Sequence, residues 1–113
     1  MTKSTIEFED FEKVDLRVGT IIKVESFTEA RNASYKIYAD FGKLGMKQTS
    51  AQVTHNYDID EMVGKQVVGV MNLKSKKIAG FKSEFLLLGV NDQKGHVSII
   101  SPDAFVDEGS SIY

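Results

Sequence analysis

The chain has 113 residues, of which 42% are hydrophobic and 27% are charged, and its formal net charge is −2. This size predicts one domain over residues 1–113, while the lack of cysteine excludes disulfides, cysteine-ligated metals and thiol catalysis. Neither a signal peptide nor the roughly 18 to 20 apolar residues of a membrane span is present in the sequence, so we expect a cytoplasmic protein that is not inserted into a membrane.

The first half of the chain has the apolar and polar alternation of β-strands. Between residues 15 and 25 one face of a predicted strand is formed by Leu16, Val18, Thr20, Ile22 and Val24, and Ile21 is the only apolar residue that breaks the alternation on the second face. Residues 35–41 repeat the alternation, and the glycines of residues 42–45 form a turn into residues 46–54, which predicts a hairpin. The one helical candidate covers residues 56–63 and ends at Gly64.

The second half contains three short apolar runs separated by Gly, Asn, Asp and Lys. These runs, at residues 66–73, 85–88 and 96–100, predict largely buried strands. Five to six strands with one short helix indicate an all-β fold, and a small closed barrel fits this pattern better than a helix-covered parallel sheet. The N- and C-terminal residues form irregular extensions in this interpretation.

Positive charge is concentrated in one segment of this acidic chain. Residues 62–83 hold no acidic residue and five lysines, which are Lys65, Lys74, Lys76, Lys77 and Lys82. Such segregation suits a partner with a dense row of negative charges, and nucleic acid is the obvious candidate. The alternative is a solvated lysine-rich edge that discourages aggregation.

Three motifs also carry a family resemblance. They are Asp-Leu-Arg-Val-Gly-Thr-Ile at residues 15–21, Asn-Leu-Lys at 72–74 and Ala-Gly-Phe-Lys-Ser-Glu at 79–84. Together they resemble the tRNA-binding domain family of OB-folds, which includes appendages of methionyl- and phenylalanyl-tRNA synthetases and stand-alone dimeric proteins. Residues 10–13, 47–54 and 78–84 are most similar to a stand-alone, export-related chaperone of that family. The resemblance implies a five-stranded Greek-key OB-fold barrel and tRNA as the partner.

The basic segment supplies most of the candidate nucleic-acid contacts. Lysine, rather than arginine, favours attraction to the phosphate backbone over bidentate reading of bases. About four phosphate contacts predict a log–log salt slope of roughly −3 for single-stranded RNA. Glu84 has three possible roles, which are accepting from a base amino group, pairing with a neighbouring lysine and bonding the loop backbone. Phe81 is expected in the core rather than as a stacking platform. The predicted site comprises Lys47, Asn72, Lys74, Lys76, Lys77, Lys82, Ser83 and Glu84.

A second hypothesis assigns the chain to a different functional class. As a peptide-binding chaperone assisting export, it would hold extended segments of unfolded clients in grooves at or near a dimer interface, with the export machinery as a further partner. The +5 basic segment favours the RNA hypothesis, because apolar clients do not require it. The closest motif match favours the chaperone.

Apolar residues at both termini need cover. They close the barrel ends of a monomer or form a two-fold interface, and the resemblance to dimeric family members favours a homodimer. The predicted interface residues are Ile6, Phe8, Phe11, Phe105 and Ile112.

Catalytic and metal-binding signatures are absent from the sequence. There is no P-loop, dinucleotide fingerprint or Gly-x-Ser-x-Gly elbow. The two histidines, His55 and His96, lie far apart and lack metal-ligand spacing, so we expect both at the surface or at strand ends. The sequence therefore predicts a protein that is not an enzyme and has no metal or cofactor.

Overall fold

A computed structural model describes residues 1–113 and consists mainly of short strands. Its two α-helices are α1 (Phe8–Glu12) and α2 (Ile59–Met62), and one 3-10 turn covers Gly42–Leu44. The strands are β1 (Leu16–Ser26), β2 (Tyr35–Asp40), β3 (Met46–Ala51), β4 (Gln66–Val70), β5 (Lys76–Ile78), β6 (Phe81–Ser83), β7 (Leu86–Leu87), β8 (Gly89–Asn91) and β9 (Val97–Ile99).

Five strands form one antiparallel sheet in the order β3-β2-β1-β4-β7. The sheet curls until its two edges meet, where the Thr49 hydroxyl of β3 donates to the Phe85 carbonyl at 2.7 Å. This nearly closed barrel confirms the predicted OB-fold. Two further hairpins, β5–β6 and β8–β9, stand outside the sheet.

A bulge in β1 explains why Ile21 breaks the predicted alternation. Ile21 pairs with Ala39 and Lys23 pairs with Tyr38, so Ile22 is left as an extra residue in β1. The bulge shifts the alternation, because residues on either side of it change face. Ile21 is consequently 1% exposed, whereas Ile22 is 44% exposed and does not share the buried face with Val18 and Val24.

Both helices begin with reciprocal side-chain and backbone hydrogen bonds. The predicted helix is shorter than residues 56–63, and Asp58 and Glu61 form its capping box. A second helix, α1, was not predicted, and Glu7 and Asp10 form the same arrangement at its start. Neither helix has the length and apolar run that crossing a bilayer requires.

The core consists of two clusters inside the barrel. The larger contains Ile21, Val24, Ile37, Val53, Met62 and Val67. In the smaller cluster Phe41 and Phe85 pack edge to face with centroids 4.9 Å apart. Gly19 permits this packing, because a Cβ there would lie 2.7 Å from the Phe41 ring.

The C-terminal extension is bound along the first half of β1. The Gly109 amide donates to the Val18 carbonyl at 2.7 Å, and the Ile112 amide donates to the Leu16 carbonyl at 2.9 Å. The side chain of Gln66 holds the preceding segment by bonding both the amide and the carbonyl of Val106. The chain end therefore lies beside the start of β1, close to α1.

Candidate nucleic-acid interface

The β5–β6 hairpin gathers the lysines of the basic segment. Ala79 and Gly80 have φ angles of +47° and +81°, so the hairpin has the left-handed backbone of a type I′ turn. Lys77 lies directly opposite Lys82 across the two strands, and Lys76 lies opposite Ser83. We call residues 74–83 the basic hairpin. Because like charges directly opposite each other repel, the Lys77 and Lys82 pair destabilises the hairpin in the absence of an anion.

The basic hairpin is attached to the outer edge of β3 by the polar residues that end it. The Gln48 amide donates to Oε1 of Glu84 at 3.1 Å, and the Glu84 amide donates to the Gln48 carbonyl at 2.8 Å. Ser83 Oγ accepts from the Ser50 amide at 3.1 Å. Ser83 and Glu84, both candidate contacts, thus fix the position of the hairpin. The Glu84 carboxylate bonds the backbone of β3 and not that of its own loop, and it forms no ion pair with a neighbouring lysine.

Asn72 forms a bridge to the N-terminal segment. Its Oδ1 accepts from the Asp15 amide at 2.9 Å, and its Nδ2 donates to the Lys13 carbonyl at 2.6 Å. Sequence reasoning assigned Asn72 to ligand contact, but both polar atoms of its amide are engaged within the protein.

Aromatic side chains support the other side of the basic hairpin. Phe81 is half-buried and packs edge-on against Phe27 and Tyr38, at centroid distances of 5.5 and 6.2 Å. The ammonium group of Lys36 lies 4.9 Å from the Phe27 centroid and 5.2 Å from the Phe81 centroid. Lys36 was not predicted, although it brings a further cation to this surface.

The four lysines of the basic hairpin are exposed and take part in no ion pair. The three ion pairs of the structure join Lys13 to Asp10, Arg17 to Asp15 and Lys23 to Glu25. Two other lysines lie apart from the hairpin. Lys65 precedes β4, a strand roughly 16 Å long, whereas the hairpin follows the other end of that strand. Lys47 pairs with Ala39, and its side chain lies on the face of β3 opposite that of Gln48.

One carboxylate beside this surface is tuned by a neighbour. The Tyr38 hydroxyl donates to Oε1 of Glu25 at 2.9 Å, and this bond, with Lys23 and Lys36 nearby, holds the pKa of Glu25 below its ordinary value. Burial, together with the same hydrogen bond to a carboxylate, raises the pKa of Tyr38. Glu25 therefore stays ionised next to the lysines.

The family assignment follows from comparison with known sequences. Residues 16–111 match the family described as "Putative tRNA binding domain". The chain belongs to this family. The methionine–tRNA ligase of Methanococcus vannielii is 36% identical over 108 residues, which are 96% of this chain and 16% of the ligase. The chain spans about a sixth of the length of the curated relatives that it matches.

Solved structures extend the likeness to stand-alone proteins. The chaperone CsaA of Bacillus anthracis is 43% identical, with a TM-score of 0.92 over 97% of this chain and 100% of the other. The CsaA chaperone protein of Picrophilus torridus is 41% identical, with a TM-score of 0.90 over 96% of this chain and 100% of the other. The predicted resemblance to the tRNA-binding domain family and to its chaperone-type members is confirmed.

An apolar hollow lies between α1 and the C-terminus. Its volume is about 370 Å³. Leu16 of β1 lines the hollow, together with five apolar residues outside the strands that we call the terminal patch: Phe8, Phe11, Val14, Ile112 and Tyr113. Phe8, which packs on Phe11, is 69% exposed. Three of the five predicted interface residues thus meet at one place, whereas Ile6 and Phe105 are exposed outside it.

The two histidines are brought together although they are far apart in sequence. His55 and His96 stack with centroids 4.2 Å apart. Asp92 holds the turn of the β8–β9 hairpin by accepting from the amides of Lys94 and His96. A hydrogen bond from the Asn56 side chain is the main cause of the lowered pKa of Asp92. The structure groups no three possible metal ligands here or elsewhere.

Proposed function

We propose that this protein is a non-enzymatic tRNA-binding protein that holds structured tRNA through Lys74, Lys76, Lys77 and Lys82. The observation that carries the proposal is the presence of four exposed lysines without ion-pair partners on one hairpin of an OB-fold barrel. The hairpin lies in the connection after β4, beside strands β2 and β3, and OB-folds bind oligonucleotides with these parts of the barrel. Phosphates would neutralise the repulsion between Lys77 and Lys82.

The other predicted residues have supporting roles in this proposal. Asn72, Ser83 and Glu84 position the basic hairpin through the hydrogen bonds described above. Lys36 adds positive charge from β2, and Lys47 contributes only through its longer-range field. Recognition by lysine ammonium groups favours the shape and charge of the RNA backbone over its sequence.

We further propose a homodimer formed through the terminal patch. A half-exposed cluster of aromatic and aliphatic side chains is expected to be covered, and a second copy offers an identical apolar surface. A dimer would present two basic hairpins on one particle. Simultaneous contact with one tRNA would then raise the affinity without any new kind of contact.

Peptide binding by a chaperone is the second candidate. A groove of about 430 Å³ lies between the end of β3 and the β8–β9 hairpin, and Val53, Ile78, Leu87 and Val97 are among its lining residues. Grooves with apolar pockets hold peptide segments in other proteins. The two CsaA structures, whose proteins are chaperones by name, support this candidate.

Titration of labelled tRNA tests the first candidate. The variant Lys74/Lys76/Lys77/Lys82→Ala is compared with Lys3/Lys43/Lys65/Lys94→Ala, which loses the same charge at exposed positions away from the hairpin. Four contacts predict that wild-type affinity falls about fiftyfold between 50 and 200 mM salt. We expect the first variant to lose most of its affinity and salt dependence, and the control to keep both. Equal binding by the two variants would refute the role of the hairpin.

Suppression of client aggregation tests the second candidate. If the groove holds peptides, Leu86→Asp, at a half-exposed position of its lining, should reduce suppression. The four hairpin substitutions should leave suppression unchanged, because the lysines do not line the groove. Loss of suppression with the hairpin variant would show that no separate peptide site exists.

A further inference from the structure

A small pocket lies between the edge of β3 and the basic hairpin. It has a volume of about 270 Å³, just below the range of roughly 300 to 1,000 Å³ that is typical of sites for drug-sized ligands. Lys74 and Lys76 line its cationic side, and Leu73, Ile78 and Leu86 supply apolar walls. Apolar surface beside cations is the combination that accepts a flat base and its phosphates.

Glu84 contributes a fixed acceptor to this pocket. Its Oε1 is occupied by the Gln48 amide at 3.1 Å, while its own amide bonds the Gln48 carbonyl at 2.8 Å. These two bonds hold the carboxylate in place. No hydrogen bond or ion pair uses Oε2, so this oxygen remains available to a donor in the pocket.

Two serines contribute a hydroxyl donor on the same wall. The Oγ atoms of Ser50 and Ser83 lie 3.2 Å apart, and either can donate to the other. Since one hydroxyl hydrogen is used within the pair, the other is free to point at a ligand. Both serines and Glu84 line the pocket, so it offers a carboxylate acceptor and a hydroxyl donor.

We propose that this pocket receives a single unpaired nucleobase of the bound RNA. The Watson–Crick edge of a base presents a donor next to an acceptor, and this edge is free only where the base is unpaired. The base donates to Oε2 of Glu84 and accepts from the serine hydroxyl. Its ring lies between Leu73, Ile78 and Leu86, and the adjoining phosphates contact Lys74 and Lys76.

This inference rests on the proposed tRNA-binding function and adds a preference that phosphate attraction does not produce. A duplex hides the Watson–Crick edges, and an abasic strand lacks them. The hairpin lysines, by contrast, would attract all three forms of RNA. The pocket therefore predicts a difference between the intact and the abasic strand, which carry the same phosphate charge.

The experiment compares a short single-stranded RNA, the same strand paired with its complement, and the same strand with abasic sugars. Wild-type protein should bind the intact single strand about tenfold more tightly than the abasic strand. Glu84→Gln keeps an oxygen for the Gln48 amide and replaces the free acceptor by an amino donor. It should abolish the tenfold preference and leave the salt slope unchanged.

Glu9→Gln, an exposed substitution on α1 with the same change of charge, is the matched control and should retain the preference. Leu86→Ala removes part of the apolar wall at a half-exposed position and should also weaken the preference. Thermal unfolding establishes that each variant is folded.

The outcomes separate the pocket from the proposed function. Equal affinity for intact and abasic strands, or an undiminished preference in a folded Glu84→Gln protein, would overturn the pocket while tRNA binding by the lysines stands. If wild-type protein binds neither tRNA nor the short RNAs, both the pocket and the proposed function are overturned.

Discussion

The basic hairpin and the terminal patch both expose side chains that a folded chain normally pairs or buries, but they differ in what surrounds them. Around the hairpin, residues 82–84 are hydrogen-bonded to β3, and the four lysine ammonium groups are exposed without ion-pair partners. Around the patch, the exposed groups are the apolar side chains themselves. A rigid support carrying free charge suits a charged ligand, whereas exposed apolar surface suits association between proteins.

Asn72 connects the two regions. It follows β4 at the start of the connection to the hairpin, and it bonds residues 13 and 15 between α1 and β1. The contrast between the two regions can therefore be tested by substitutions in the terminal patch, in the basic hairpin and at Asn72.

A charge introduced into the terminal patch should have the largest effect on tRNA affinity. Phe8→Asp places a charge in the proposed two-fold interface, so we expect the protein to become a monomer by light scattering. Because Phe8 is largely exposed, the stability of the monomer should change by less than about 0.5 kcal/mol. Affinity for tRNA should fall by about a hundredfold as the linked second site is lost.

Val90→Asp is the control for this prediction, since Val90 is 56% exposed on β8, away from the patch. A wild-type protein that is already monomeric, or a Phe8→Asp protein that remains a dimer, would contradict the proposed interface.

The second prediction separates ligand binding from stability at the basic hairpin. Lys77→Glu replaces the repulsion with Lys82 by an attractive cross-strand pair, which should stabilise the hairpin by about 0.2 to 1 kcal/mol. The same change should weaken tRNA binding about tenfold and make the salt slope shallower by about 1. Amide exchange of residues 76–83 and tRNA titration measure the two effects.

Lys94→Glu, in the turn of the other hairpin, serves as the matched charge reversal. If Lys77→Glu increases the protection of residues 76–83 from amide exchange without weakening tRNA binding, Lys77 does not face the ligand.

The third prediction concerns the bridge. Asn72→Ala removes two hydrogen bonds to the segment before β1, and we expect the free energy of unfolding to decrease by about 1 to 2 kcal/mol. Chemical denaturation measures this change. Affinity for tRNA should change less than it does in Lys77→Glu, and a larger loss of affinity than of stability would restore Asn72 as a direct contact.

The smallest expected effect is at Tyr38, on which Phe81 of the hairpin packs. Tyr38→Phe removes the hydrogen bond that lowers the pKa of Glu25, so this pKa should rise toward 4.5. Because the pKa is lowered in the folded state, the bond stabilises the protein above the unfolded pKa and ceases to do so as the pH falls through the folded value. The stability difference between wild type and variant should therefore shrink in acid. An NMR titration that gives the same Glu25 pKa in both proteins would contradict this coupling.

Local sequence patterns predicted the local parts of this molecule. The alternation in residues 35–54 predicted the hairpin of β2 and β3. The lysines of residues 74–82 lie in one hairpin because they are close together in the sequence. The bulge at Ile22 escaped prediction, because alternation does not reveal which residue of a strand is left unpaired. Helix α1 escaped because five residues give too little periodicity.

Contacts between distant segments account for the other differences. Asn72, Ser83 and Glu84 form hydrogen bonds with residues of other strands and loops. These structural roles could therefore not be predicted from the basic segment alone. Lys36 meets Phe81 only when β2 and β6 pack together, and the histidine stack forms in the same way. Lys65 was grouped with the other lysines because no acidic residue lies between it and Lys74 in the sequence. In the structure, β4 lies between Lys65 and the basic hairpin.

Mapping the tRNA-bound surface by NMR tests the central claim most directly. Amide signals of an isotope-labelled protein are followed as unlabelled tRNA is added at low salt. We predict that residues 72–84 and the neighbouring part of β2 lose intensity or shift first, while the β8–β9 hairpin and its histidine stack are the least affected. Changes confined to the terminal patch or to the β8–β9 hairpin, with the basic hairpin unaltered, would contradict the account.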